Sequence, residues 1–141
     1  MKLPNTLKIL FPAIIYAALM FGVYFYMGYI AIKYKLDLIY FGTFFGYFLP
    51  LLYIILPFLL IIELVRRRRK YIKNKSNSIT FQAAMYPGII LGITFSYNFY
   101  IWSNGSFSVF LIWSLIFIPL LLLISGLLGI LIDLIWNKMK K

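Results

Sequence analysis

FSVFLIWSLIFIPLLLLISGLLGILIDLIW, from Phe107 to Trp136, is the stretch that decides the fold class. Its single charged residue is Asp133, close to its end. A helix that crosses a bilayer needs about 20 mostly apolar residues, and this run exceeds that. A transmembrane β-strand would alternate apolar and polar side chains. Ile116 to Ile124 holds no polar side chain at all, so a barrel strand is excluded.

Three further stretches have the same character. One runs from Ile9 to about Ile32, a second from about Leu38 to Val65 with Glu63 as its only charge, and a third from about Phe81 to Trp102 without charge. The first is too long for the apolar core of a cleavable signal peptide, and Lys33, Tyr34 and Lys35 follow it where a cleavage site of small residues would be needed. It reads as a retained helix. Pro50 and Pro57 lie seven apart on one face of the second stretch, where membrane helices tolerate proline routinely; a hinge or cavity wall is the alternative reading. The expected fold is therefore all-α: an integral membrane protein whose single domain, 1–141, holds four transmembrane helices over about 9–32, 38–65, 81–102 and 107–136.

Composition agrees. Across 141 residues, 64% are hydrophobic and 12% charged, whereas an ordinary soluble domain carries about 25% charged residues. A soluble fold of this size leaves too much surface exposed to hide so much apolar material.

The charge is distributed unevenly. Lys2 and Lys8 precede the first stretch, Arg66, Arg67, Arg68, Arg69, Lys70, Lys73 and Lys75 follow the second, and Lys138, Lys140 and Lys141 follow the fourth. Lys33 and Lys35 alone fall on the opposite side. Short cytoplasmic segments hold the excess of Lys and Arg. The expected topology is two hairpins with both termini on the cytoplasmic or equivalent side of a cell or organelle inner membrane, joined by a basic cytoplasmic loop over residues 66–80. Ser103-Asn104-Gly105-Ser106 supplies a tight outer turn, since Asn-Gly favours turn geometry.

Small residues four apart recur in each stretch: Ala18 with Gly22, Gly42 with Gly46, Gly88 with Gly92, and Ser125 with Gly129. Such pairs let helix backbones approach closely where lipid gives no hydrophobic push. Thr94, Ser96 and Asn98 make the third stretch the most polar. Asn98 in hydrocarbon calls for a hydrogen bond to a neighbouring helix or a polar solute path.

The arginine run with Lys70 admits three readings. It is an orientation signal, a contact for anionic lipid headgroups, or a dock for an acidic protein or nucleic acid. No nucleic-acid motif surrounds it, so nucleic acid is not expected. Glu63 precedes Arg66 and Arg67 by three and four residues, the spacing of an ion pair on one helix face. Asp133 falls at a similar depth and is in reach of the same cluster. Two carboxylates near one membrane face are candidates for charge balance or for a proton or cation relay.

Cys and His are both absent. That removes thiolate and histidine catalysis, the usual zinc ligands and His-ligated haem, and no metal or cofactor is expected. No nucleophile and base are assembled by motif. The first function expected is a non-catalytic subunit that packs, anchors or assembles a larger membrane complex through other subunits or through self-association. A small oligomeric transporter or channel is the alternative. Residues 42–47, GTFFGY, depart from the Thr-Val-Gly-Tyr-Gly filter of potassium channels.

Reporter fusions to the two termini are expected to appear on the same, cytoplasmic side. Reporters on opposite sides would overturn the four-span reading.

Overall fold

A computed structural model describes residues 4–26, 29, 33, 54–73, 76–103 and 105–141, with Val23, Tyr24, Asn98, Ile101 and Trp102 described by backbone alone. Helix α1 spans Asn5–Leu19 and passes into a π-helical turn, Met20–Tyr24. Helices α2 (Leu56–Tyr71), α3 (Asn77–Ala84), α4 (Tyr86–Trp102) and α5 (Phe107–Met139) follow. Among the described residues there is no strand. Among the described residues, three stretches are long and apolar enough to cross a membrane: Asn5–Gly22, Asn77–Tyr97 and Phe107–Met139.

The helices extend beyond the expected apolar spans, with α2 running to Tyr71 and α5 to Met139. The first helix begins at Asn5 rather than near Ile9. The third begins at Asn77 rather than near Phe81, and a turn at Met85 divides it into α3 and α4. Pro87 accounts for the break. It has no N–H to give the carbonyl of Ala83, and its ring crowds that turn. The next carbonyl, of Ala84, accepts a hydrogen bond from Ser125 Oγ of α5 instead. Of the second stretch, residues 38–53 lie outside the described residues, with Pro50, Gly42 and Gly46 among them. Pro57 sits in the first turn of α2, behind π-helical residues 54–55.

Alongside an apolar core, several polar residues are buried and much of α5 leaves apolar side chains exposed. Thr80, Thr94, Ser96, Ser125 and Asp133 are buried, while Leu111, Ile112, Leu115, Leu120, Leu127 and Leu131 of α5 are exposed. Ile9, Ala13, Tyr16 and Met20 form one helical stripe on α1 and its π turn, and this stripe packs with Leu60 and Leu64 of α2. Ile61 and Val65, on another face of α2, pack with Ala84 of α3, and Leu128 and Ile132 of α5 lie against them.

Glycine sets the approach of α4 to α5. A Cβ on Gly88 would strike the Leu121 backbone carbonyl, and one on Gly92 would come 2.7 Å from the Ile118 Cα. Gly126 faces the Phe81 ring, and Gly129 faces the Ala84 methyl. Gly22 is different: an added methyl there meets nothing within 4 Å, so it mediates no close approach among the described residues. Toward the other end of the α4–α5 pair, rings replace glycines. Phe99 stacks on Trp113 at 4.2 Å between centroids, and Phe117 lies 5.4 Å from Trp113. The connection between α4 and α5 turns at Gly105, whose φ of 87° suits glycine and whose N–H reaches the Tyr100 carbonyl at 2.9 Å.

Gly88→Ala is expected to destabilise the fold by about 1–3 kcal/mol through overpacking. Gly22→Ala is expected to leave stability unchanged or slightly raised, because alanine is the better helix former. Thermal unfolding of both variants in mild detergent checks the contrast.

Candidate functional site

Residues 66–71 continue α2 and are not part of a loop. The expected basic loop over 66–80 therefore shrinks at both ends, since α3 begins at Asn77. Arginine and lysine are good helix formers. Glu63 supports the run from three and four residues upstream, and cations are favoured at a helix C-terminus. The helix ends at Tyr71, and Ile72 is extended, with φ −121° and ψ 119°.

Helical geometry then distributes the arginines. Successive side chains point about 100° apart, so four in a row face four directions. Arg66 stays on the exposed side and pairs with Glu63, its Nε 2.8 Å from Oε2. That hydrogen bond raises the Arg66 pKa above its ordinary value. Arg67 donates through Nε to the other oxygen of Glu63 at 2.8 Å and through a terminal nitrogen to the Lys8 carbonyl of α1, also at 2.8 Å. Arg68 turns inward, is only 1% exposed, and donates to the Ser76 carbonyl at the head of α3 at 3.2 Å. Arg69 reaches α5, where its Nε lies 2.5 Å from Asp133 Oδ1. One terminal nitrogen of Arg69 also bonds the Asp133 carbonyl at 2.9 Å and Asn137 Oδ1 at 2.6 Å. The same guanidinium lies 5.4 Å from the centre of the Trp136 ring. The run thus ties α1, α3 and α5 to α2.

The Lys8 carbonyl is available for a reason written in the sequence. In an uninterrupted α-helix it would accept the N–H of residue 12, and residue 12 is proline. Arg67 supplies the donor that Pro12 lacks. Nearby, Asn5 Nδ2 donates to the Tyr71 carbonyl at 3.4 Å, and Lys8 and Lys70 lie 5.5 and 5.4 Å from the centre of the Tyr71 ring.

The two carboxylates do not meet. Glu63 belongs to Arg66 and Arg67, and Asp133 to Arg69. Asp133 is 3% exposed, so removing one partner of its ion pair would strand a buried charge, a loss of about 3–5 kcal/mol. Thr94 and Ser96 are also buried, but each hydroxyl donates to its own helix, to the Ile90 carbonyl at 2.8 Å and the Gly92 carbonyl at 2.7 Å. They neither bridge helices through these bonds nor line an open path. The Asn98 side chain lies outside the described residues.

Between the ends of α2 and α5 lies a cavity of about 650 Å³. Arg68, Arg69 and Lys73 line one side, and Asp133, Lys140 and Lys141 the other. Composition and spacing mark Arg66–Lys70, Glu63 and Asp133, but not Ser76, Asn137 or the Lys8 carbonyl. The proline four residues after Lys8 is the available signal for the last of these. No protein-family model matches the chain, and comparison with curated proteins and with solved structures gives no match.

Arg67→Ala is expected to destabilise the protein by about 1.5–3 kcal/mol, the range for a hydrogen bond made by a charged group. In a Pro12→Ala background the loss should be smaller by about 0.5–3 kcal/mol, because residue 12 then donates to Lys8 itself. Unfolding midpoints of the wild type, two single variants and the double variant measure this coupling, and purely additive losses would remove the carbonyl-capture account.

Proposed function

We propose that this chain is a four-span integral membrane protein, with both termini on the cytoplasmic-equivalent side, that acts as a non-catalytic subunit of a larger membrane complex. The observation that carries this reading is α5. It is a 33-residue helix whose apolar side chains are largely exposed along its length. Lipid covers part of that surface in this reading, and the rest is available to other subunits or to a second copy.

The charged residues support the same view. The described carboxylates are closed by arginines that also join helices, so neither is poised as a general base. The basic end faces anionic headgroups and orients the bundle. Its role is to hold and present apolar surface. A small oligomeric transporter or channel is the second reading. The cationic cavity at the end of α2 and α5 favours it, as a vestibule for an anionic solute.

Extraction in mild detergent followed by identification of co-purifying chains tests the proposal. Unlike subunits recovered in fixed ratio are the expected result. A homo-oligomer that exchanges an anionic solute in liposomes would replace the subunit reading with the transporter.

A further inference from the structure

We propose that the cavity between the ends of α2 and α5 is a binding site for the phosphate group of an anionic phospholipid, with the acyl chains lying along α5. The inference rests on the membrane reading above and is independent of the subunit role.

Charge is the first argument. Arg68, Arg69, Lys73, Lys140 and Lys141 line the cavity against the single carboxylate side chain of Asp133, and Arg69 already neutralises that carboxylate. Glu63, the other described carboxylate, is committed to Arg66 and Arg67. Among the described residues no carboxylate pairs with Lys73, Lys140 or Lys141. The fold therefore gathers cations from two helix ends into one space, where they repel one another. A bound anion reverses the sign of that interaction.

Form is the second argument. Arg68 is almost wholly buried and donates to the Ser76 carbonyl, which pins the end of α2 to the head of α3 and so holds one wall of the cavity in place. The exposed Lys73, Lys140 and Lys141 supply adaptable point charge to phosphate oxygens at that wall. A cavity of about 650 Å³ falls in the range for whole small-molecule ligands, larger than a bare phosphate ion needs.

Position supplies the occupant. Leu134, the i,i+3 neighbour of the lining residue Asn137 on the α5 surface, is 46% exposed, and an exposed apolar stripe continues from it through Leu131 and Leu127. Trp136 lies between them and the helix end, at the level where amphipathic rings favour headgroups. A headgroup in the cavity thus leads directly onto apolar helix surface, as a lipid requires and a soluble phosphate does not.

The test uses the full chain in mild detergent and in nanodiscs. Native mass spectrometry and fluorescence titration compare phosphatidylglycerol with phosphatidylcholine, and a separate arm uses inorganic phosphate and ATP. The wild type should retain phosphatidylglycerol in preference to phosphatidylcholine. The triple variant Lys73→Ala, Lys140→Ala, Lys141→Ala should lose that preference by about tenfold or more, with its lipid-free unfolding midpoint unchanged or raised as the repulsion among the cations is relieved. The control variant Lys70→Ala, Lys138→Ala removes basic residues outside the cavity and should keep it. Equal binding of the two lipids by the wild type, or equal losses in the triple and control variants, would overturn the site. Saturable binding of phosphate or ATP without preference between the lipids would overturn the lipid assignment. Failure of the chain to enter the membrane fraction would strike the membrane reading itself and is seen before any lipid is added.

Discussion

A guanidinium drawn into an apolar bundle must be met by acceptors, and that requirement organises the packing around α2. Four guanidinium groups stand in consecutive positions on one helix, so helical geometry turns them in different directions and no single partner serves all four. Glu63 takes two of them, and the Lys8 and Ser76 carbonyls and Asp133 complete the set. The contacts of Arg67 with Lys8, Arg68 with Ser76 and Arg69 with Asp133 each fix one neighbouring segment at one height along it. The hydrophobic stripes of α1 and α2 favour contact but fix register less sharply, because apolar packing is non-directional.

A proline gives this scheme one of its acceptors, and a second proline stands beside a similar capture elsewhere. Pro12 releases the Lys8 carbonyl to Arg67, and the break at Pro87 accompanies capture of the Ala84 carbonyl by Ser125. In both places a donor from a different helix replaces the hydrogen bonding of a regular turn. Backbone groups withheld from water must be satisfied inside the protein, so a proline in one helix selects for a donor in another. Glycine acts by removal as well, since Gly88 and Gly92 allow backbone-to-backbone approach of α4 and α5 and the stacked rings of Phe99, Trp113 and Phe117 hold the pair farther along.

Hydropathy alone makes the helical class and the long final helix readable, because an apolar run from Phe107 to Trp136 with one charge is far longer than a strand and lacks its alternation. Helix ends were less readable. Charge excess assigns Arg66–Lys70 to a loop, yet helix propensity and Glu63 keep them helical to Tyr71. The Glu63 pairs are local and follow from spacing. The Arg69–Asp133 pair joins residues 64 positions apart, and only a common depth in two helices hints at it. Thr94 and Ser96 look like interhelical donors in sequence, but a hydroxyl in a helix can reach the carbonyl four residues back, and both do so.

The π-helical turn at Met20–Tyr24 changes the phase of the first helix. One extra residue in a turn rotates everything beyond it by about 100° relative to a continuous α-helix. Before the turn, the helix offers the stripe of Ile9, Ala13 and Tyr16 to α2. Beyond it, Phe25 meets α4, its ring 4.0 Å from Tyr97 and its carbonyl accepting the Tyr97 hydroxyl at 3.4 Å. A single segment therefore serves two different neighbours along its length, and the turn is the joint that lets one helix carry two addresses.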